Sequence, residues 1–401
     1  MCSPLSFAPS VACRILLGWE FGGGFGHVVH LREIARQIGE NRPCEFLFAL
    51  QKPQNGVLAG LPDGSVIPAP VPRRSAGSKK PQYMATYGEF VSHNLMIDEG
   101  AFARCLAGWD KICRSFDPHL IVADYAPGLS LYARGRWPVL AVGNGYTLPP
   151  PEMADFPPVT SLNRPRSATE PEIIGRLNKE LEKMGARPIE RLPQLNEADA
   201  YGLMTIPIFD PYGTQRQQPY LGAEVPGGTP SPQATSSGGI AYFYEDAQLH
   251  DNVLDGLAEA SIDTAAYFGR PLRRLVKRFK GSRISLADAP FTLREDMPGR
   301  AVAVHNGGLG FATAAVLAGV PQVMLYKHQE HWLMANAIVR AGAGAAFRYK
   351  EVTASALSEA IDLVANSSAM REGAMRLAEE NAGFRNANPT RTVADIALGF
   401  L

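Results

Sequence analysis

Short apolar runs alternate along the chain with segments whose apolar residues recur every three or four positions, the pattern of strands alternating with amphipathic helices. The first run, CRILLGW (13–19), leads into the glycine cluster at 22–26 and then the helical pattern VVHLREIARQI, predicting strand, tight turn and helix. CEFLFAL (44–50) predicts a second strand. The stretch from Pro53 to Pro81, rich in Pro, Gly and Ser and carrying Arg73, Arg74, Lys79 and Lys80, is expected to be a long mobile loop. The spacing of Phe90, Leu95, Phe102, Leu106, Trp109 and Ile112 predicts one or two amphipathic helices lying on a sheet. HLIVAD and WPVLAVG then predict two further parallel strands joined by a crossover.

Periodicity is lost between Tyr220 and Gly239, in a segment crowded with Gly, Pro and Ser, and then the alternation restarts. IAYFYE, TAAYFG, RISLAD, AVAVHNGG and PQVMLY are the strand candidates of this second half, with helices at DNVLDGLAEA and FATAAVLAG. The expected architecture is α/β: an N-terminal Rossmann-like doubly wound domain (1–219), a linker (220–239) and a second such domain (240–401), facing each other across a cleft. Ligands of open parallel sheets bind outside the carboxyl ends of the strands, so the cleft is where chemistry is expected. Residues 151–235 have no assigned place in this plan.

Composition narrows the function. A chain of 401 residues exceeds one hydrophobic core, and 46% hydrophobic with 19% charged residues is ordinary for a globular protein. Lys plus Arg equals Asp plus Glu at 39 each, so no overall field draws the chain to nucleic acid. The five cysteines, Cys2, Cys13, Cys44, Cys105 and Cys113, form no zinc-type spacing and read as reduced thiols of a cytoplasmic protein. The first ten residues lack the pattern of a signal peptide, and no apolar stretch approaches the ~20 residues of a membrane span. The basic run at 270–283 reads as a solvated helix face, with peripheral contact to anionic lipid as the alternative.

Two glycine turns carry the candidate chemistry. In AVAVHNGGLGFATAAVLAGVPQVMLY (301–326) a buried strand ends at His305 and a helix is expected to start near Phe311. Between them, Asn306, Gly307, Gly308 and Gly310 would let backbone N–H groups approach an anion at a helix N-terminus, a cradle for a diphosphate. A tight turn without ligand is the structural alternative. The other turn, GGGFGH, misses the dinucleotide spacing and has no acid closing a second strand, so a nicotinamide enzyme is not expected. It ends in His27, and a neutral imidazole, with a pKa near ~6.5, can take a proton from a hydroxyl at physiological pH.

HNGGLGF followed by AGVPQ resembles the C-terminal signature of the family 1 glycosyltransferases of GT-B fold and their bacterial relatives that glycosylate natural products. Phe311 stands where that family has a hydroxyl-bearing residue. The resemblance implies that Glu330 and His331 hold the donor sugar, His331 replacing the usual Gln. It implies that Gly24 and Gly26 belong to the Gly-x-x-Gly-His loop beside the donor, that His27 is the general base, and that Asp124, from the Val-Ala-Asp strand end, orients it. His30 is more simply a first-turn surface residue, with an acceptor-pocket role as the alternative, and Asn144 and Tyr146 are weaker acceptor-contact candidates. The implied reaction is an inverting transfer of a sugar from a UDP- or dTDP-type nucleotide diphosphate-sugar to the hydroxyl of a small-molecule or lipid-linked acceptor. No cofactor beyond that co-substrate and no metal is implied, in keeping with the lack of an Asp-x-Asp pair. Rival expectations are a sugar-nucleotide epimerase or hydrolase on the same scaffold, or a catalytically silent nucleotide-sugar-binding activator subunit.

Overall fold

A computed structural model describes residues 13–73, 84–159, 168–225, 238–243, 250–269 and 273–401. Cys2, Arg74, Lys79 and Lys80, the middle of the expected linker and the start of the 270–283 basic run lie outside the described residues.

The described residues form two compact units. In the first, the chain runs β1 (Cys13–Trp19), α1 (Gly26–Asn41), β2 (Cys44–Leu50), α2 (Pro53–Leu58), β3 (Val66–Pro68), α3 (Tyr87–Leu95), α4 (Ala101–Phe116), β4 (Leu120–Asp124), α5 (Pro127–Ala133), β5 (Val139–Gly143), α6 (Glu170–Lys183) and β6 (Ala200–Leu203). The six strands form one parallel sheet in the order β3-β2-β1-β4-β5-β6. Every residue of β4 and β5 is buried, which is why LIVAD and VLAVG read as continuous apolar runs rather than alternating ones.

The second unit repeats the plan with β7 (Gly239–Tyr242), α7 (Asp251–Glu259), β8 (Thr264–Tyr267), α8 (Arg273–Arg278), β9 (Ile284–Leu286), α9 (Leu293–Asp296), β10 (Val302–His305), α10 (Leu309–Leu317), β11 (Gln322–Tyr326), α11 (Gln329–Arg340), β12 (Gly344–Arg348), α12 (Ala354–Asn366) and α13 (Ser368–Glu380). Its parallel sheet is ordered β12-β11-β10-β7-β8-β9, the same winding as the first. In each sheet the strand order reverses between the first and fourth strands. That reversal opens a crevice at the strand ends where such folds hold ligands. In register, Trp19 pairs with Asp124 beside one reversal and Tyr242 with His305 beside the other.

The units divide differently from the expected boundaries. The last helix, α14 (Pro389–Leu398), belongs to the first unit, and residues 205–211 belong to the second. The cause is side-chain patterning. Val393, Ala394 and Ala397 form a fully buried stripe on α14, Val393 lies against the bare backbone of Gly202 in β6, and the Gln37 amide of α1 donates to the Thr390 hydroxyl at 3.4 Å. Ile206 and Phe209 instead join Met334, Ala335 and Ile338 in the core of the second unit.

Part of the stretch expected to be a loop after Pro53 is ordered as α2 and β3, and α10 begins at Leu309 rather than near Phe311. No described helix is long and apolar enough to cross a membrane, and Cys13, Cys44, Cys105 and Cys113 are free thiols.

Candidate functional site

In the first unit the two residues singled out at strand ends come together. His27 lies in the first turn of α1, Asp124 closes β4, and the His27 Nδ1–H donates to Asp124 Oδ2 at 2.9 Å. Asp124 is 2% exposed and the His27 side chain 20%, so the carboxylate is shielded while the imidazole still meets solvent. With Nδ1 committed to the carboxylate, Nε2 is the nitrogen that carries the lone pair. This is the arrangement of a base held in one tautomer by an acid that stabilises the imidazolium once it forms.

The surroundings fix the ring. Trp19 stacks on His27 with centroids 5.3 Å apart, and Tyr125 stands 6.2 Å away on another side. Gly22, at φ +95°, passes so close that a Cβ there would sit 2.6 Å from His27 Nε2, so this glycine is required both for its backbone conformation and for room beside the imidazole. Gly24 and Gly26 are exposed, and no side chain crowds them. His30 corrects an expectation, being half-buried rather than on the surface. Burial pushes its imidazole below the usual range, partly offset by the Asp124 charge and reinforced by His27. The Asn144 side-chain oxygen accepts from the Tyr146 and Thr147 amides, each at 3.0 Å, so this residue shapes the turn after β5. Tyr146 is buried edge-on against Tyr87, within an aromatic cluster that continues through Tyr125, Phe90 and Phe21.

In the second unit the turn after β10 leads through Gly307, at positive φ, into the first turn of α10, and His305 plays another part than expected. It is fully buried, its Nε2 bonds Gln322 Oε1 at 2.9 Å, and its Nδ1 accepts from the Gly307 amide at 3.2 Å. Both ring nitrogens are thus used inside the protein, and His305 shapes the turn rather than offering a contact to phosphate. Phe311 is likewise core, 3% exposed and packed on His305 and Tyr242. The groups left for an anion are the backbone around half-buried Asn306, exposed Gly308 and the partly exposed Leu309 and Gly310 at the start of α10.

Gly307, at φ +94°, lies directly under His331, whose Cγ would be 2.8 Å from a Cβ at that position. The His331 Nδ1 is buried without a hydrogen-bond partner among the described residues. Burial first, and then neighbouring His328 and His305, hold its imidazole well below the usual range. His328, whose ring centroid is 3.7 Å from that of His331, was not singled out in the sequence; its place two residues before Glu330 was the available signal. Glu330 sits, partly exposed, in the first turn of α11, where an acid complements the helix dipole. Among the described residues no cluster of three or more His, Cys, Asp or Glu is arranged to hold a metal.

Burial lowers the His305 pKa to about 4, against an ordinary value of 6.5. Between those values the unfolded chain takes up a proton that the folded one refuses. The stability due to neutral His305 is therefore present above pH 6.5 and lost as pH falls towards 4, by up to ~3 kcal/mol. Denaturant midpoints followed from pH 7 to 4 should fall more steeply for the native chain than for His305→Gln. Comparing the two chains cancels the opposite contribution of buried Glu20, whose carboxyl is pushed up to about 7 by desolvation.

Comparison with known proteins gives similarities in part of the sequence and in the fold. Residues 289–397 match the family model of the erythromycin biosynthesis protein CIII-like C-terminal domain. The 10-deoxymethynolide desosaminyltransferase of Streptomyces venezuelae is 27% identical over 139 residues, which are 34% of this chain and 32% of that protein. The match thus spans about a third of that relative's length. Among solved structures, the calicheamicin glycosyltransferase CalG4 superposes with a TM-score of 0.67 at 16% identity, covering 97% of this chain and 98% of that one. The glycosyltransferase VinC in complex with dTDP gives 0.60 at 15% identity, covering 96% and 99%. Over nearly its whole length the chain has the fold of the bacterial natural-product glycosyltransferases of GT-B type, and residues 289–397 are similar in sequence to the erythromycin biosynthesis protein CIII-like C-terminal domain.

Proposed function

We propose that the protein is an inverting glycosyltransferase that moves a sugar from a nucleotide diphosphate-sugar to an acceptor hydroxyl, with His27 as general base. The observation that carries this reading is the 2.9 Å bond between His27 and buried Asp124 at the strand-order reversal of the first sheet. In the reaction, His27 Nε2 takes the acceptor proton as the acceptor oxygen attacks the anomeric carbon. The bond from that carbon to the diphosphate breaks, its electron pair leaves with the nucleoside diphosphate, and Asp124 stabilises the imidazolium. Amides at the start of α10 would meet the charge that grows on the leaving group, a role suited to preorganised backbone donors. Glu330 and His331 would bind the donor sugar, and a dTDP-type donor is favoured by the ligand of the VinC structure.

The test is a thermal-shift screen across UDP-, dTDP- and GDP-sugars, followed by turnover with the best binder and a panel of hydroxylated aromatic, macrocyclic and lipid-linked acceptors. A donor that raises the melting temperature and releases nucleoside diphosphate only when acceptor is present supports transfer. Release of free sugar without acceptor would show a hydrolase instead. Stabilisation with no turnover on any acceptor would favour a silent binding subunit.

A further inference from the structure

Buried Glu20, one residue beyond β1, touches none of the groups assigned to the reaction, yet it is tied to the segment that carries Asp124. Its Oε1 accepts from the Trp109 indole at 2.6 Å and from the Leu129 amide at 2.8 Å, and its Oε2 accepts from the Gly128 amide at 2.7 Å. The carboxylate is fully buried, so such an arrangement persists only because these donors replace water. Gly128 is part of the fit, because a Cβ there would lie 2.6 Å from Glu20 Oε1.

The chain between Asp124 and Gly128 needs an external hold. Tyr125 adopts φ +47°, a left-handed conformation that a side chain bearing a Cβ disfavours. Two clamps close on it. The Phe21 amide donates to the Tyr125 carbonyl at 3.1 Å, and Glu20 grips the two amides three and four residues further on. Asp124 is thereby pinned on one side by its strand register with Trp19 and on the other by the Glu20 anchor.

We propose that Glu20 is a positioning residue for the reaction, its carboxylate holding the Asp124–Leu129 segment so that Asp124 keeps His27 in the reactive orientation. This rests on the assignment of His27 and Asp124 above. In Glu20→Gln the amide NH2 must face an N–H donor at one of three positions that now meet a carboxylate oxygen, so the segment shifts while side-chain volume is kept.

The experiment is a double-mutant cycle on turnover with Glu20→Gln, Asp124→Asn and the double variant. Donor and acceptor KM are measured for each, and the denaturant midpoint checks folding. Glu20→Gln is expected to lower kcat about tenfold, since a small misplacement far from the chemistry is costly, with both KM values changed less than about twofold. In the Asp124→Asn background the same change should cost less than about twofold, because the group being positioned is already impaired. A purely structural role predicts additive losses, and that outcome, or an unchanged kcat in Glu20→Gln, overturns the proposal. If Asp124→Asn itself is as active as the native chain, the base assignment falls and this inference with it. Trp109→Phe, which deletes one of the three donors, serves the same cycle should Glu20→Gln not fold, with an expected loss of about threefold that again vanishes in Asp124→Asn.

Discussion

His27→Ala should lower kcat by roughly 10²- to 10⁴-fold, the range a positioned general base contributes, while leaving donor affinity within about twofold. The prediction separates the two units. His27 is in the first and the turn at Gly307 and Gly308 in the second, so deleting the imidazole leaves the expected diphosphate contacts in place, and the donor contacts expected at Gly24 and Gly26 are backbone groups that the substitution does not remove. Asp124→Asn should cost about 10²-fold or more, because the amide no longer supplies the negative charge that holds the Nδ1–H tautomer and stabilises the imidazolium. Nucleoside diphosphate release, measured at saturating donor and acceptor, is the readout. Wild-type turnover in either variant would remove His27 from the mechanism.

Gly307→Ala should raise the donor KM at least tenfold and leave the acceptor KM unchanged. At φ +94° an alanine carries a backbone penalty of about 1–3 kcal/mol, and its Cβ would press on His331 Cγ at 2.8 Å. The turn can relieve this only by moving the amide that His305 Nδ1 now accepts, which displaces the cradle itself. Adding His331→Ala removes the clash but neither the backbone penalty nor the need for a side chain expected to hold the donor sugar, so the double variant should not regain the native donor KM. An unchanged donor KM in Gly307→Ala would show that the turn does not bind the donor.

The architecture was legible where the pattern is strong. Apolar runs buried on both faces, such as LIVAD and VLAVG, mark the central strands, and the glycines at 22 and 307 mark turns whose positive φ values demand them. Three of the four edge strands were not legible, β9 within RISLAD being the exception. β3 is three residues long within a Pro- and Gly-rich stretch, and β6, with β12, has too little alternation to stand apart from its flanks. The His27–Asp124 pair was readable as a family pattern, but its bond depends on parallel register between β1 and β4, which only the folded sheet supplies. His305 was misread for a related reason. A histidine at a strand end beside glycines looks like a ligand until the fold brings Gln322 of the next strand to its far nitrogen. Glu20 gave no sequence signal, since its partners lie 89 to 109 positions away.

The return of α14 to the first unit bears on how such proteins can be recombined. A chimera that exchanges the C-terminal half at a single junction near residue 220 would also import a foreign last helix, whose apolar stripe has to match α1 and the bare backbone at Gly202. A second junction close to Asn388 would keep the first core with its own last helix, while Ile206 and Phe209, left on the N-terminal side, would still have to match the exchanged second core.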